Sequence, residues 1–556
     1  MNKFIKPVII TIVILIAFID PIVVLGQSNN FEISKNLDIY ATLFKEINTN
    51  YVDEVNPGEL MEIGIDAMLK SLDPYTVFIP EAEVEDYKFI TTGQYGGIGA
   101  LIHKDGEYVV ITEPYEDNPA QLSGLKAGDR VIEVDGNPLT GKSTSDVSSI
   151  LKGQAGTTVN IVIERDGVDT PISKDIVREN VKIKNIPYYG MVGGGIGYIK
   201  LAGFTQQAGK EVKEAFLELK DNNELKGFIL DLRGNGGGLL QEAVNITNVF
   251  VDKGQFVVST KGKLATKNNS YKTNNIAVDT EIPLVVLIDN SSASASEIVA
   301  GALQDLDRAV IIGERSFGKG LVQNVIPISY NSQAKITVAK YYIPSGRCIQ
   351  AIDYSKKDEN GNGETTPDSL SIAFKTMNGR TVYDGHGIEP DIKIEPAELS
   401  MLSYTLLTKF LFFNFATKFD REHASILPAD QFVVTDEIYN SFVSYLADKD
   451  YSYTTKSEQS LEDLKEDAVA EKYFSDIEAE YDNLLLKMKE RKADDIEMHK
   501  EEIKQILRLE IISRYYYQTG KIVSSLKDDK DLKKAIEILN ANDEYVAILD
   551  GTASGK

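Results

Sequence analysis

Two short stretches of this 556-residue chain carry residue types suited to covalent chemistry. The first is Ser292-Ala293-Ser294-Ala295-Ser296-Glu297, which follows the apolar run Leu284 to Ile288 and opens a helical pattern from about Ala295 to Leu306. A hydroxyl at a helix N-terminus faces unpaired backbone N–H groups that suit an oxyanion, which makes Ser294 a candidate nucleophile. Serines also cap helices at such places, and the cluster alone does not separate the two roles. The second stretch runs from Gly313 through Gly318-Lys319-Gly320, after the apolar run Val310 to Ile312. It has the glycine and lysine spacing of a phosphate-binding loop, but Gly320 stands where a magnesium-binding Ser or Thr belongs. The continuation Leu321 to Pro327 reads as a strand, leaving no helix N-terminus for phosphates. A lysine enclosed by glycines and apolar residues can instead lose its proton near neutral pH and serve as a base for a serine. His386, with Asp384 and Asp391 nearby, is a rival base, although its flanking glycines point to a turn.

The elements that must position these residues show in the pattern between about 180 and 395. Phe228 to Leu230 reads as a strand leading into the glycine-rich Arg233-Gly-Asn-Gly-Gly-Gly238, and Leu239 to Phe250 has helical spacing. Strand-to-helix alternation of this kind predicts an α/β layer with functional loops at strand ends. Between 84 and 175 the pattern shifts to short β-rich runs such as Tyr108 to Thr112, Arg130 to Val134 and Thr158 to Glu164. Helical spacing governs 31 to 72, as two helices joined at Asn56-Pro57-Gly58, and returns in charged form after 397, for example over Leu461 to Lys489 and Glu501 to Tyr517.

Several of these blocks, in order, resemble the S41 family of carboxyl-terminal processing, or tail-specific, serine proteases. They are Asp231-Leu-Arg-Gly-Asn-Gly-Gly-Gly238, Ser292 to Leu303, Arg308 to Gly320, Gln323, and Gly385-His-Gly-Ile-Glu-Pro-Asp391; the likeness covers roughly residues 31 to 395. It implies that Ser294 is the nucleophile, Lys319 the general base and Gln323 the residue that orients the lysine. It further implies an oxyanion hole built from the Ala295 amide and one from Gly237 or Gly238. Tyr95-Gly-Gly97-Ile98-Gly99-Ala100 and the run Pro119 to Gly136 resemble a PDZ domain, in which Gly97, Ile98, Gly99 and Ala100 would receive a peptide carboxylate while a strand edge adds the peptide backbone. The fold expected is an α/β multidomain protein: an α/β protease core with an inserted β-rich PDZ-like domain and helical N- and C-terminal regions. Its expected segments are 1–26 signal peptide, 27–83 N-terminal helical region, 84–175 PDZ-like domain, 176–396 protease core and 397–556 C-terminal helical region. The expected activity is cleavage of proteins at or near their C-terminal tails through an acyl-enzyme; a PDZ scaffold that had lost the chemistry is the alternative, against which Ser294, Lys319 and Gln323 stand together.

Composition bounds the partners. A formal net charge of -25 disfavours unspecific binding to nucleic acid or anionic membrane surfaces, leaving protein or peptide substrates with exposed C-termini. Cys348 is the single cysteine, so no intramolecular disulfide forms, and the four histidines show no metal-ligand spacing; no metal and no cofactor are expected. Lys3 and Lys6 precede the apolar run Val8 to Ile19, after which Asp20-Pro21 interrupts before the ~20 apolar residues of a membrane span. This pattern predicts export to the periplasm or cell envelope, with membrane contact only through the N-terminal segment if it stays uncleaved. Self-association, the cleavage specificity and the role of 397–556 stay open.

Overall fold

A computed structural model of the protein describes residues 20–358 and 361–552 and divides into two compact units, one up to Phe78 and one from Ile79 onward. Most of the expected signal segment therefore lies outside the described residues. Among the described residues no helix is long and apolar enough to cross a membrane. The first unit holds the helices Asp20–Asn50 and Pro57–Lys70. Pro57 opens the second helix instead of belonging to a turn, because Asn56 caps it by accepting the Gly58 N–H at 3.0 Å, and proline is tolerated where no N–H is needed.

In the second unit a six-stranded sheet forms the central layer, in the order Tyr188–Met191, Ile196–Lys200, Gly227–Asp231, Leu284–Ile288, Val310–Gly313 and Ile392–Lys393. The first pair is antiparallel and the rest are parallel. Their continuous apolar runs follow from burial on both faces. Phe228, Leu230, Val286, Ile288 and Ile311 pack under the helices Ala208–Asn222, Leu240–Phe250 and Ala295–Asp305. Ile229, Val285, Leu287, Val310 and Ile312 point the other way, against Leu532, Ala535, Ile538, Leu539 and Tyr545 of the helices Lys530–Asn540 and Asn542–Leu549. The C-terminal helices are thus the second layer of the α/β core.

A separate sheet, ordered Ala100–Asp105, Tyr108–Pro114, Arg130–Val134, Thr158–Glu164, Ile172–Val177, closes with the helix Thr144–Leu151 around its own core. The strands by which the chain enters and leaves this domain, Gln94–Gly97 and Glu179–Lys182, pair with one another. The remaining C-terminal helices enclose a third core, rich in Phe412, Phe415, Phe419 and Phe442, that includes Ile503, Leu507, Ile511 and Ile512 of the helical stretch Lys500–Ser525, which is kinked at Tyr517.

Candidate active site

Ser294 stands where the strand Leu284–Ile288 gives way to the helix Ala295–Asp305, with φ 56° and ψ −108°, a conformation uncommon for a residue with a side chain. Such strain persists only where the surroundings enforce it. The flanking serines do the enforcing. Ser292, fully buried, donates through Oγ to Leu232 O at 2.9 Å, and Ser296, also fully buried, donates to Asn235 O at 2.8 Å. Both tie this turn to the glycine loop, and of the three hydroxyl-bearing residues Ser294 alone keeps access to solvent. It also caps its helix in a capping box with Glu297, so the capping and chemical readings of the cluster coexist at one residue.

Glu297 is the residue that sequence reasoning passed over. Its carboxylate is fully buried and accepts four hydrogen bonds: Oε2 from the Ser294 N–H at 2.7 Å and the Lys319 N–H at 2.9 Å, Oε1 from Ser316 Oγ at 2.6 Å and the Gly318 N–H at 2.7 Å. Burial pushes its pKa above the ordinary glutamate value, while these four donors oppose the rise. From the other side the hydroxyl of buried Tyr341 contacts both the Ser294 carbonyl, at 3.1 Å, and the Lys319 carbonyl, at 2.6 Å. Ser294 and Lys319, far apart in sequence, are therefore clasped twice through their backbones. The signal available beforehand was the Ser-x-x-Glu spacing of a capping box.

Lys319 is half-buried on a loop fixed along its length: the Phe317 N–H donates to Ser292 O, the Ser316 N–H to Ile388 O, and the Gly320 N–H to Gln350 Oε1. Leu321–Pro327 follows as a strand, in line with setting aside a phosphate loop. Gln323 lies on that strand, its Nε2 donating to Thr337 Oγ1 at 3.2 Å. His386 faces elsewhere, pairing with Ser371 and lying 3.4 Å from Asp368.

The glycine loop abuts the serine. A Cβ on Gly237, whose φ is 97°, would come within 2.6 Å of Ala293 O, 2.8 Å of the Ala295 amide and 2.9 Å of Ser294 Cβ, so only glycine fits. Gly238 packs against Phe204 instead. The Gly237 N–H donates to Asn235 Oδ1 at 2.9 Å, and Asn235 Nδ2 donates to Leu201 O at 2.8 Å, anchoring the loop from beneath. In the PDZ-like sheet Ala100–Asp105 is an edge strand, with the helix Thr144–Leu151 beside it. Gly97 pairs with Glu179, the Gly99 carbonyl accepts the Tyr115 N–H, and Ile98, only 3% exposed, belongs to the domain's core.

Against known proteins, residues 195–358 match the profile of peptidase family S41, 110–165 that of a PDZ domain, and 402–539 that of the C-terminal helical domain of a probable PDZ-protease. A carboxy-terminal-processing protease of Bartonella bacilliformis is 37% identical over 338 residues, covering 60% of this chain and 77% of the relative. The chain belongs to peptidase family S41. The carboxy-terminal processing protease CtpA of Bacillus subtilis is 28% identical over 80% of this chain and 93% of its own length. A solved photosystem II D1 C-terminal processing protease is 28% identical, covering 65% of this chain and 93% of its own, with a TM-score of 0.35. As an S41 peptidase, the protein is a serine-type protease with a PDZ domain and a helical C-terminal domain.

Proposed function

We propose that this S41 peptidase is an exported endopeptidase that cuts protein substrates at or near their C-terminal tails, with Ser294 and Lys319 as its catalytic dyad. The observation that carries the reading is the double clasp of Glu297 and Tyr341, which brings the backbones of those two residues to one point beside a close-packed glycine loop.

Ser294 Oγ attacks the scissile carbonyl carbon as its proton passes to neutral Lys319 Nζ, giving a tetrahedral oxyanion. The Ala295 amide, at a helix N-terminus, and an amide of the Gly237-Gly238 segment receive that charge. The intermediate collapses, the lysine returns the proton to the leaving amine, and an acyl-enzyme remains. Water, deprotonated by the same lysine, hydrolyses the ester and frees Ser294. Gln323 serves to orient the lysine. Upstream, the carboxylate of a substrate tail is received by the Gly97–Ala100 segment while its backbone adds to the exposed edge of Ala100–Asp105. Ile98, being in the core, supports the loop from behind.

Incubating the purified protein with a protein substrate and mapping the cuts by mass spectrometry tests the reading. Ser294→Ala is expected to abolish cleavage. Lys319→Ala should lower kcat by ~10²-fold or more, as expected for loss of a general base. Activity within about tenfold of the parent would refute the lysine's role, since removing a general base should cost ~10²-fold or more.

A further inference from the structure

Arg233 opens the glycine loop, directly after the strand Gly227–Asp231. All five of its guanidinium N–H donors have carboxylate acceptors: Nε and Nη2 on Asp231 at 3.1 and 2.7 Å, Nη1 and Nη2 on Asp529 at 3.0 and 2.6 Å, and Nη1 on Asp531 at 2.9 Å. Asp231 comes from the same strand end, but Asp529 and Asp531 come from the start of the helix Lys530–Asn540. Lys200 completes the cluster, donating to Asp231 Oδ1 at 3.1 Å and to the Arg233 carbonyl at 2.7 Å. Tyr198 donates its hydroxyl to Asp231 Oδ2 at 2.7 Å.

A buried charge cluster of this kind is a poor stabiliser for its size, because desolvating each ion offsets most of the attraction. What the forked, bidentate geometry gives is a fixed position. The residue it fixes matters. Beyond Arg233 come Gly234, Asn235, Gly236, Gly237 and Gly238, so Asn235 carries the one side chain within the loop, donating to Leu201 O; the loop's backbone is held by Ser296 Oγ and the Ala293 N–H on Asn235 O and by Asp289 on the Gly234 N–H. Arg233 is the last long side chain before the segment that touches Ser294. Asp529 is itself held by two constraints: it caps its helix, accepting the Leu532 N–H at 2.9 Å, and that helix is packed on the sheet through Leu532, Ala535, Ile538 and Leu539.

We infer that the C-terminal helical region completes the active site, with Asp529 and Asp531 acting as positioning residues that hold Arg233, and through it the Gly234–Gly238 loop, in register with Ser294. The inference rests on the reading of Ser294 as nucleophile and of this loop as part of its oxyanion site. Three carboxylates surround two cations, so the cluster contributes no positive field to an oxyanion, and its effect is on geometry. Loss of the clamp therefore lowers turnover at every pH and leaves the shape of the pH–rate profile alone.

The experiment uses the full-length protein and a quenched fluorescent peptide, comparing Asp529→Asn, Asp531→Asn, the double variant and Asp529→Glu, with Ser294→Ala in parallel. Asparagine retains a helix-capping acceptor, and Asp531 is not the cap, so the helix is preserved in both single variants. In the double variant kcat should fall by about 10²-fold, the scale of a lost oxyanion donor, with KM within about threefold. Asp529→Glu should recover at least a tenth of parental kcat, and the midpoint of the pH profile should not move in any of them. A double variant with kcat within threefold of the parent overturns the clamp. So does a loss that appears only at temperatures where the variant is unfolding. Full activity in Ser294→Ala refutes the nucleophile instead, whereas an inert Ser294→Ala beside a fully active double variant refutes the clamp alone.

Discussion

A single carboxylate sets the geometry around Ser294. Because Glu297 receives four donors in a site closed to water, Glu297→Gln cannot satisfy all of them, since one of its acceptor oxygens becomes an NH2 group facing N–H donors. The expected cost is about 1–3 kcal/mol in stability, from leaving buried polar groups unpaired. A loss of kcat larger than the loss of folded protein should accompany it, measured by urea unfolding and peptide turnover on the same preparation. Parental kcat in a folded variant would show that the clasp is not needed. Ser294 and Lys319 could be nominated from the sequence because their surroundings there, a serine run after a buried strand and a lysine among glycines, are local. Glu297 was not, because its partners Ser316, Gly318 and Lys319 meet it only through the parallel register that sets Ile288 beside Gly313. Ile98 shows the converse limit. Its motif was readable, but whether its side chain faces a groove or the core depends on the sheet beneath it.

At the scale of the element, the site is a meeting of three loops at the ends of adjacent parallel strands, and at Gly237 the glycine loop closes on the turn that carries Ser294. Gly237→Ala puts a methyl group against two backbone atoms closer than 3 Å and asks an alanine to adopt a φ of 97°. The loop must then withdraw from Ser294, and peptide turnover is expected to fall by at least ~10²-fold, in keeping with displacement of an oxyanion donor. The protein should still melt cooperatively, since the loop lies outside the sheet's core. Gly236→Ala, where an added Cβ meets nothing within 4 Å, is the matched control and should retain most activity. The strands Arg130–Val134, Thr158–Glu164 and Leu321–Pro327 were readable to the residue, as apolar or alternating runs between turn residues. The charged helical stretch beginning near Leu461 was read as continuous to Lys489 but breaks between Ala470 and Phe474, where Lys472 takes φ 66°. Charge and periodicity persist across that break, so nothing in the pattern marks it.

In the whole molecule the C-terminal region joins the other parts of the second unit. It covers one face of the catalytic sheet, and its helices also bear on the PDZ domain, where His103 stacks on Phe410 with ring centroids 4.0 Å apart and meets Phe413 edge-on at 5.0 Å. His103 Nδ1 lies 2.8 Å from Thr112 Oγ1, and its Nε2 is buried with no partner. Burial first, and Arg514 with it, hold this imidazole below the usual histidine pKa, against the opposing pull of Asp105. A group whose folded pKa is lowered binds its proton more readily in the unfolded chain. Stability is therefore present above the unfolded value near ~6.5 and declines as the pH falls through it. Melting curves between pH 7.5 and 5.5 should show a steeper loss for the parent than for His103→Phe, which keeps the stack and removes the titration; parallel curves would refute this. Helical spacing announced that residues after 397 bury an apolar face. It could not announce against what, because both partners, the PDZ sheet and the catalytic sheet, lie hundreds of residues earlier in the chain.

That long return has a consequence for how the enzyme comes into being. A chain made from its N-terminus presents Ser294, Lys319 and the glycine loop well before Leu532 to Tyr545 exist to cover Val285, Leu287 and Ile312. Until that stretch is synthesised, the face of the sheet it covers is bare and Arg233 lacks two of its three acceptor residues. A nascent molecule that stops short of this stretch thus holds Ser294, Lys319 and the glycine loop without the contacts that fix Arg233, and on the positioning role inferred for Asp529 and Asp531 its turnover waits for that stretch, as a built-in delay.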